Sequence, residues 1–152
     1  MRARDLVVDY PAVRADDDAL TATRLLSERH LPGLVVVDED GRPATVLPAS
    51  QVLRFVIPRY VQDDPALAHV VDESYADRMC ATLAGKRVAD LLPRERPVLP
   101  VVGEDDTALE IAAVMAENHS PLVAVLSGAA EDGGRMVGVV TASGLLERLL
   151  AR

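Results

Sequence analysis

A chain of 152 residues and 16.3 kDa can bury roughly two-thirds of its unfolded surface, so neither metals nor disulfides are needed to staple it. Its 24 Asp and Glu against 16 Lys and Arg give a formal charge of −8, a field that opposes nucleic acid and anionic membrane faces. One Phe, three Tyr and no Trp leave few rings for stacking on bases, and no apolar run approaches the roughly 18 residues of a bilayer span.

Taken in chain order, a lead-in segment, MRARDLVVDYP, shows no signal-peptide pattern, and a cytoplasmic protein without direct membrane insertion is expected. Asp18 is placed to cap a helix running to about Arg29, with Ala22, Leu25 and Leu26 on its apolar side. Leu34 to Val37 reads as a covered strand. Asp38-Glu39-Asp40-Gly41 is a turn, Ala44 to Leu47 a second strand, and a helix follows from Gln51.

Residues 53–83 read differently, with Pro58 and Pro65 as helix boundaries. From Pro65, the spacing of Leu67, Val70, Val71, Tyr75, Met79 and Leu83 predicts an amphipathic helix that covers the core or contacts a second subunit. Cys80, among Met79, Ala81 and Leu83, reads as a small buried hydrophobe. Gly85-Lys86-Arg87 then opens the second half. There, Val98 to Val102 is extended, Thr107 caps a helix to about Asn118, and Leu122 to Leu126 forms a strand. Gly133-Gly134 turns into a strand from Met136 to Val140, and a helix follows from Ser143.

These halves are copies of one unit. Shifted by 89 positions, Asp16, Asp17, Ala19, Leu20, Glu28, His30 and Pro32 fall on Asp105, Asp106, Ala108, Leu109, Glu117, His119 and Pro121. Beyond a longer turn in the second copy the shift becomes 93, which sets Ala49-Ser50 on Ala142-Ser143. A unit this small exposes an apolar sheet face alone, so the two copies should pair and share a core.

The ordered set Ala89-Asp90-Leu91, Asp105 to Leu109, His119-Ser120-Pro121-Leu122 and Gly138-Val139-Val140-Thr141 resembles the tandem CBS-domain family, or Bateman module. The first copy repeats it through Arg4-Asp5-Leu6, Asp17 to Leu20, His30-Leu31-Pro32 and Val35 to Gly41. The resemblance implies an α/β fold with mixed sheets: two tandem β-α-β-β-α units packed as a pseudo-twofold pair, with an inserted helical segment. The divisions are residues 1–57, 58–84 and 85–152. It further implies a non-catalytic regulatory protein that binds AMP, ADP, ATP or another adenosine-containing ligand between its units and requires no cofactor. A homodimer and a regulated partner protein, a transporter among the candidates, are also implied. The alternative is an interaction or scaffold module that needs no ligand.

By that resemblance the pocket uses the strand after His-x-Pro and a Thr or Ser followed three positions later by Asp. The corresponding residues are His119, Ser120, Pro121, Thr141, Ser143 and Gly144 in the second copy, and His30, Pro32, Gly33, Ser50 and Gln51 in the first. Gly144 and Gln51 stand where the ribose-binding acid belongs, and Pro48 stands where the hydroxyl belongs, so both copies depart from the pattern. That departure weakens generic adenosine binding, by about 1 to 3 kcal/mol for such a contact.

Simpler readings stand beside these. His30 and His119 either satisfy helix-terminal groups or face a ligand, with pH sensing a third role. Asp16, Asp17, Asp18, Asp105 and Asp106 favour helix N-termini rather than a metal. Ser50, Thr141 and Ser143 serve equally as helix caps. Lys86, Arg87, Arg94 and Arg96 form either a solvated cluster or an anion contact. No HExxH, CxxC, GxSxG or GxGxxG motif is present, which argues against an enzyme.

Overall fold

A computed structural model describes residues 1–70, 78–128 and 134–151. In chain order the elements are α1 (Ala3–Leu6), β1 (Ala12–Arg14), α2 (Ala19–Glu28), β2 (Gly33–Val37), β3 (Pro43–Pro48), α3 (Ala49–Val56) and α4 (Arg59–Asp63). After the middle segment come α5 (Val88–Leu91), β4 (Val101–Gly103), α6 (Ala108–Asn118), β5 (Leu122–Leu126), β6 (Met136–Thr141) and α7 (Ala142–Leu150). Each copy thus contains the expected β-α-β-β-α order. The strands form two three-stranded sheets, β1-β2-β3 and β4-β5-β6. In the second, Val101 of β4 lies opposite Ala124 in parallel register, while Leu122 of β5 lies opposite Thr141 of antiparallel β6.

Local chemistry sets the element ends. The Asp18 carboxylate accepts from the Thr21 backbone N–H at 2.9 Å and starts α2. Thr107 and Glu110 form a reciprocal capping box at α6, with Glu110 accepting from the Thr107 N–H at 2.7 Å. Both helices stop at a histidine in the left-handed region, His30 at φ 51° and His119 at φ 48°. Histidine is among the residues enriched there. The next N–H then closes the last turn, Leu31 onto the Leu26 carbonyl and Ser120 onto the Met115 carbonyl. The histidine backbone, rather than its imidazole, therefore ends each helix. At the β2–β3 turn, Gly41 adopts φ 78° while the Asp38 carboxylate accepts from the N–H groups of Asp40 and Arg42.

The chain divides into two compact units that do not follow the boundary between copies. One comprises Met1–Ala12, Val35–Val46 and Pro97–Arg152; the other comprises Val13–Leu34 and Leu47–Arg96. Within the first, the opening residues of the chain pack onto the second copy. The Ala3 N–H donates to the Asp106 carbonyl at 2.8 Å, the Ala108 N–H to the Met1 carbonyl at 3.1 Å, and the Arg2 guanidinium to the Asp105 carbonyl at 2.6 Å. Arg4 also pairs with the Asp105 carboxylate. Ala3 and Leu6 join Val102, Ile111, Met115, Val123, Val125, Val140 and Leu145 in one buried core. Within the other unit the arrangement is reciprocated: Val88 donates to the Asp17 carbonyl and Ala19 to the Lys86 carbonyl, both at 2.9 Å, and α5 packs on α2 and α3.

Two contacts extend this exchange onto strands, both inside the first unit. Val8 forms an antiparallel bridge with Val139, its N–H donating at 2.9 Å and its carbonyl accepting at 3.1 Å. Gly138 makes that approach possible, because a Cβ there would lie 2.5 Å from both the Val8 carbonyl oxygen and Val7 Cγ2. At the matching position of the first copy stands Thr45, buried, whose hydroxyl donates to the Pro97 carbonyl at 2.5 Å.

The middle segment corrects two expectations. Pro65–Val70 and Cys80–Leu83 are 3-10 turns where the apolar spacing predicts α-helix, while Arg78 and Met79 are α-helical; Val71 and Tyr75 fall outside the described residues. Pro65 lacks an N–H, and the Asp64 carboxylate accepts from the Ala66 N–H, which favours a tight local turn. Among the described residues of this stretch Leu83 alone is fully buried, and the turn that carries it packs on α2 and α3. Cys80 is exposed rather than buried, since the short turn points only Leu83 inward. The expected turn at Gly133 lies outside the described residues. Among the described residues, no helix is long and apolar enough to cross a membrane.

Candidate functional site

In each copy, the residues after the first helix meet the start of the second helix at one corner. In the second copy the Ala142 N–H donates to the Pro121 carbonyl at 2.8 Å, and in the first the Ala49 N–H donates to the Pro32 carbonyl at 3.1 Å. The first bond brings His119, Ser120 and Pro121 beside Thr141, Ser143 and Gly144. The second brings His30, Pro32 and Gly33 beside Ser50 and Gln51. The sequence-predicted set therefore gathers into two corners, one in each compact unit.

The polar groups at these corners are partly engaged. Thr141 is the N-cap of α7: its hydroxyl oxygen accepts from the Gly144 N–H at 3.1 Å and lies 3.4 Å from Ser143 Oγ. Ser143 is therefore inside the helix and is not its cap. Ser50 is likewise inside α3, whose N-cap is Pro48 with no side-chain bond, because proline has no oxygen to offer. The half-buried Gln51 donates from Nε2 to the Leu91 carbonyl at 3.1 Å, and Ser120 Oγ donates to the Leu122 carbonyl at 2.6 Å. Such geometry leaves Gln51 Oε1 as an acceptor, while the Thr141 and Ser143 hydroxyls share one contact.

The aspartates ahead of the helices serve the backbone. Asp17 and Asp106 accept from the N–H groups of Arg14 and Gly103 at 2.8 and 2.9 Å, the same turn in both copies. The Thr21 N–H, then its hydroxyl, hold the Asp18 carboxyl below its usual range; the Thr107 N–H does the same for Glu110. Among the described residues, no group of His, Cys, Asp and Glu is arranged to hold a metal. In the basic cluster, Arg87 donates to the Asp16 carbonyl at 3.1 Å and so helps fix the lead-in of the second copy.

Beside the second-copy corner lies an apolar groove of about 540 Å³ between α6 and α7, lined by Met115, His119, Pro121, Leu145, Leu146 and Leu149 among others. Sequence reasoning named His119, Ser120 and Pro121 as site residues but not the leucines. Their signal was present: Leu145, Leu146, Leu149 and Leu150 continue the apolar stripe past the width needed to cover one sheet face.

The fold and the repeated corner define a module of two paired β-α-β-β-α copies. The CBS domain family profile matches residues 3–57 and 88–151, and the chain belongs to that family. CBS modules are regulatory rather than catalytic, and this chain is such a module. A CBS domain-containing protein of unknown function from Kribbella flavida DSM 17836 is 51% identical over 99% of both chains, with a TM-score of 0.85. CBSX2 in complex with AMP is similar at 19% identity, over 99% of this chain and 96% of that one, with a TM-score of 0.66. The cytosolic domain of the Mg²⁺ channel MgtE in complex with ATP is 23% identical over 97% of this chain and 48% of its own, with a TM-score of 0.61. The latter two likenesses show the fold alone. No curated protein matches the chain.

Proposed function

We propose that the chain is a cytoplasmic ligand-sensing module that takes an adenosine nucleotide or related metabolite at its strand-to-helix corners and thereby controls a partner protein. The doubled corner carries this reading: one backbone bond, Pro121 to Ala142 and Pro32 to Ala49, sets the same groups side by side in both copies. The AMP complex of CBSX2 and the ATP complex of MgtE support the nucleotide class, and MgtE, a channel, supports a transport protein as the partner. The domain division at residues 57 and 85 belongs to the same reading. Control follows when the ligand binds two conformations unequally.

Calorimetry of the full chain with AMP, ADP and ATP tests it. The expected outcome is weak binding by the native chain and about tenfold tighter binding by Gly144→Asp, which supplies a carboxylate beside Thr141. No heat from any of the three, in either protein, sinks nucleotide sensing.

The apolar groove favours a complementary reading, self-association, with a second copy as its occupant. None of its lining residues is Asp, Glu, Lys or Arg, on a chain of formal charge −8. Two copies therefore meet there without opposing like charges. Leu146 is 57% exposed and Leu149 43%, apolar surface that association would cover. Sedimentation should show a dimer that Leu149→Glu converts to monomer; a native monomer at high concentration excludes it.

A further inference from the structure

A second pocket, outside both strand-to-helix corners, opens where α3 turns into α4. Arg54 lies in the last turn of α3, Ile57 and Pro58 form the bend, and Arg59 begins α4. The bend is closely held. Gln62 Nε2 donates to the carbonyls of Arg54 and Ile57 at 2.8 and 3.0 Å, and the N–H groups of Val61 and Gln62 donate to the Pro58 carbonyl at 3.0 and 3.1 Å. This brings Arg54 and Arg59 to one pocket of about 450 Å³, with Ile57, Val61 and Pro65 as an apolar wall and Asp63 also lining it.

Among the described residues, neither guanidinium makes an ion pair or a side-chain hydrogen bond. Two cations against one carboxylate make this opening locally positive on a chain of formal charge −8. Each guanidinium is a planar fork of donors suited to phosphate oxygens, and a doubly charged anion answers two of them. The volume is that of a small-molecule site. We propose that this pocket binds a small phosphate monoester whose apolar body rests on Ile57, Val61 and Pro65. Asp63 opposes the dianion and sets an upper limit on affinity.

Titration of the full chain with phenyl phosphate, followed by calorimetry and by phosphorus NMR, tests the assignment. Saturable binding is expected, tighter than for inorganic phosphate because the ring meets the apolar wall. Arg54→Gln and Arg59→Gln, both on exposed residues, should each weaken it by about tenfold. Asp63→Asn should tighten it severalfold, and Gly144→Asp should leave it unchanged, which separates this pocket from the nucleotide corners. Absence of saturable binding, or binding indifferent to both arginine substitutions, overturns the site. Benzoate bound as tightly as phenyl phosphate overturns the phosphate assignment.

Discussion

The two copies solve one structural problem in different ways. At β6 the second copy receives the chain's opening segment through a backbone bridge: Val8 pairs with Val139, and Gly138 leaves room for it. In the first copy the corresponding strand position is Thr45, and its side chain holds Pro97 instead. Proline has no N–H to give a reciprocal bridge, so one hydroxyl replaces a pair of backbone bonds. One position therefore reaches the facing backbone by vacancy in one copy and by a donor in the other.

The largest loss is expected from Gly138→Ala. Its methyl group would overlap the Val8 carbonyl and Val7, so the lead-in must shift and uncover Ala3 and Leu6; urea denaturation should show a loss of about 3 kcal/mol. Thr45→Val keeps the shape but removes the donor. The Pro97 carbonyl then loses its partner, and the same measurement should show a loss of about 2 kcal/mol. A Gly138→Ala protein as stable as the native one would mean that the Val8 bridge is dispensable.

The smallest effect concerns the capping carboxylates. Asp18 and Glu110 have folded pKa values lowered from 3.8 and 4.5 by the N–H groups they cap, so their stabilisation is present above those values. It is lost as pH falls through the lowered folded values. Melting temperature should therefore drop on acidification below about pH 4.5. Asp18→Asn, which keeps an acceptor oxygen without a titrating group, should flatten part of that drop, and Thr107, a neutral cap, should hold α6 throughout.

Much of this architecture was legible because it is local. Asp18, Thr107 and the Asp38-to-Gly41 turn act within four residues, and the strands at Leu34 and Leu122 show as unbroken apolar runs. The repeat itself placed both corners. What sequence could not show was which copy each lead-in joins, since Arg4-Asp5-Leu6 and Val88 to Leu91 carry the same short pattern and say nothing of their partners. The start of the middle segment misled for another reason: apolar spacing from Leu67 fits a helix, but at Pro65–Val70 the proline and the Asp64 carboxylate favour a tight turn. At the candidate corners, residue identities were readable, whereas the engagement of Gln51 with Leu91 depends on a contact 40 positions away.

The exchanged lead-ins also impose an order of events on a chain emerging from the ribosome. Arg2 finds its partner carbonyl 103 positions later, at Asp105, and Asp16 waits 71 positions for Arg87. Only α2 lacks its partner when its own copy has been synthesised, because Lys86 to Val88 come later, whereas α6 meets a lead-in that has already been made. Contacts of such separation close long loops, so both lead-ins are expected to dock late in folding.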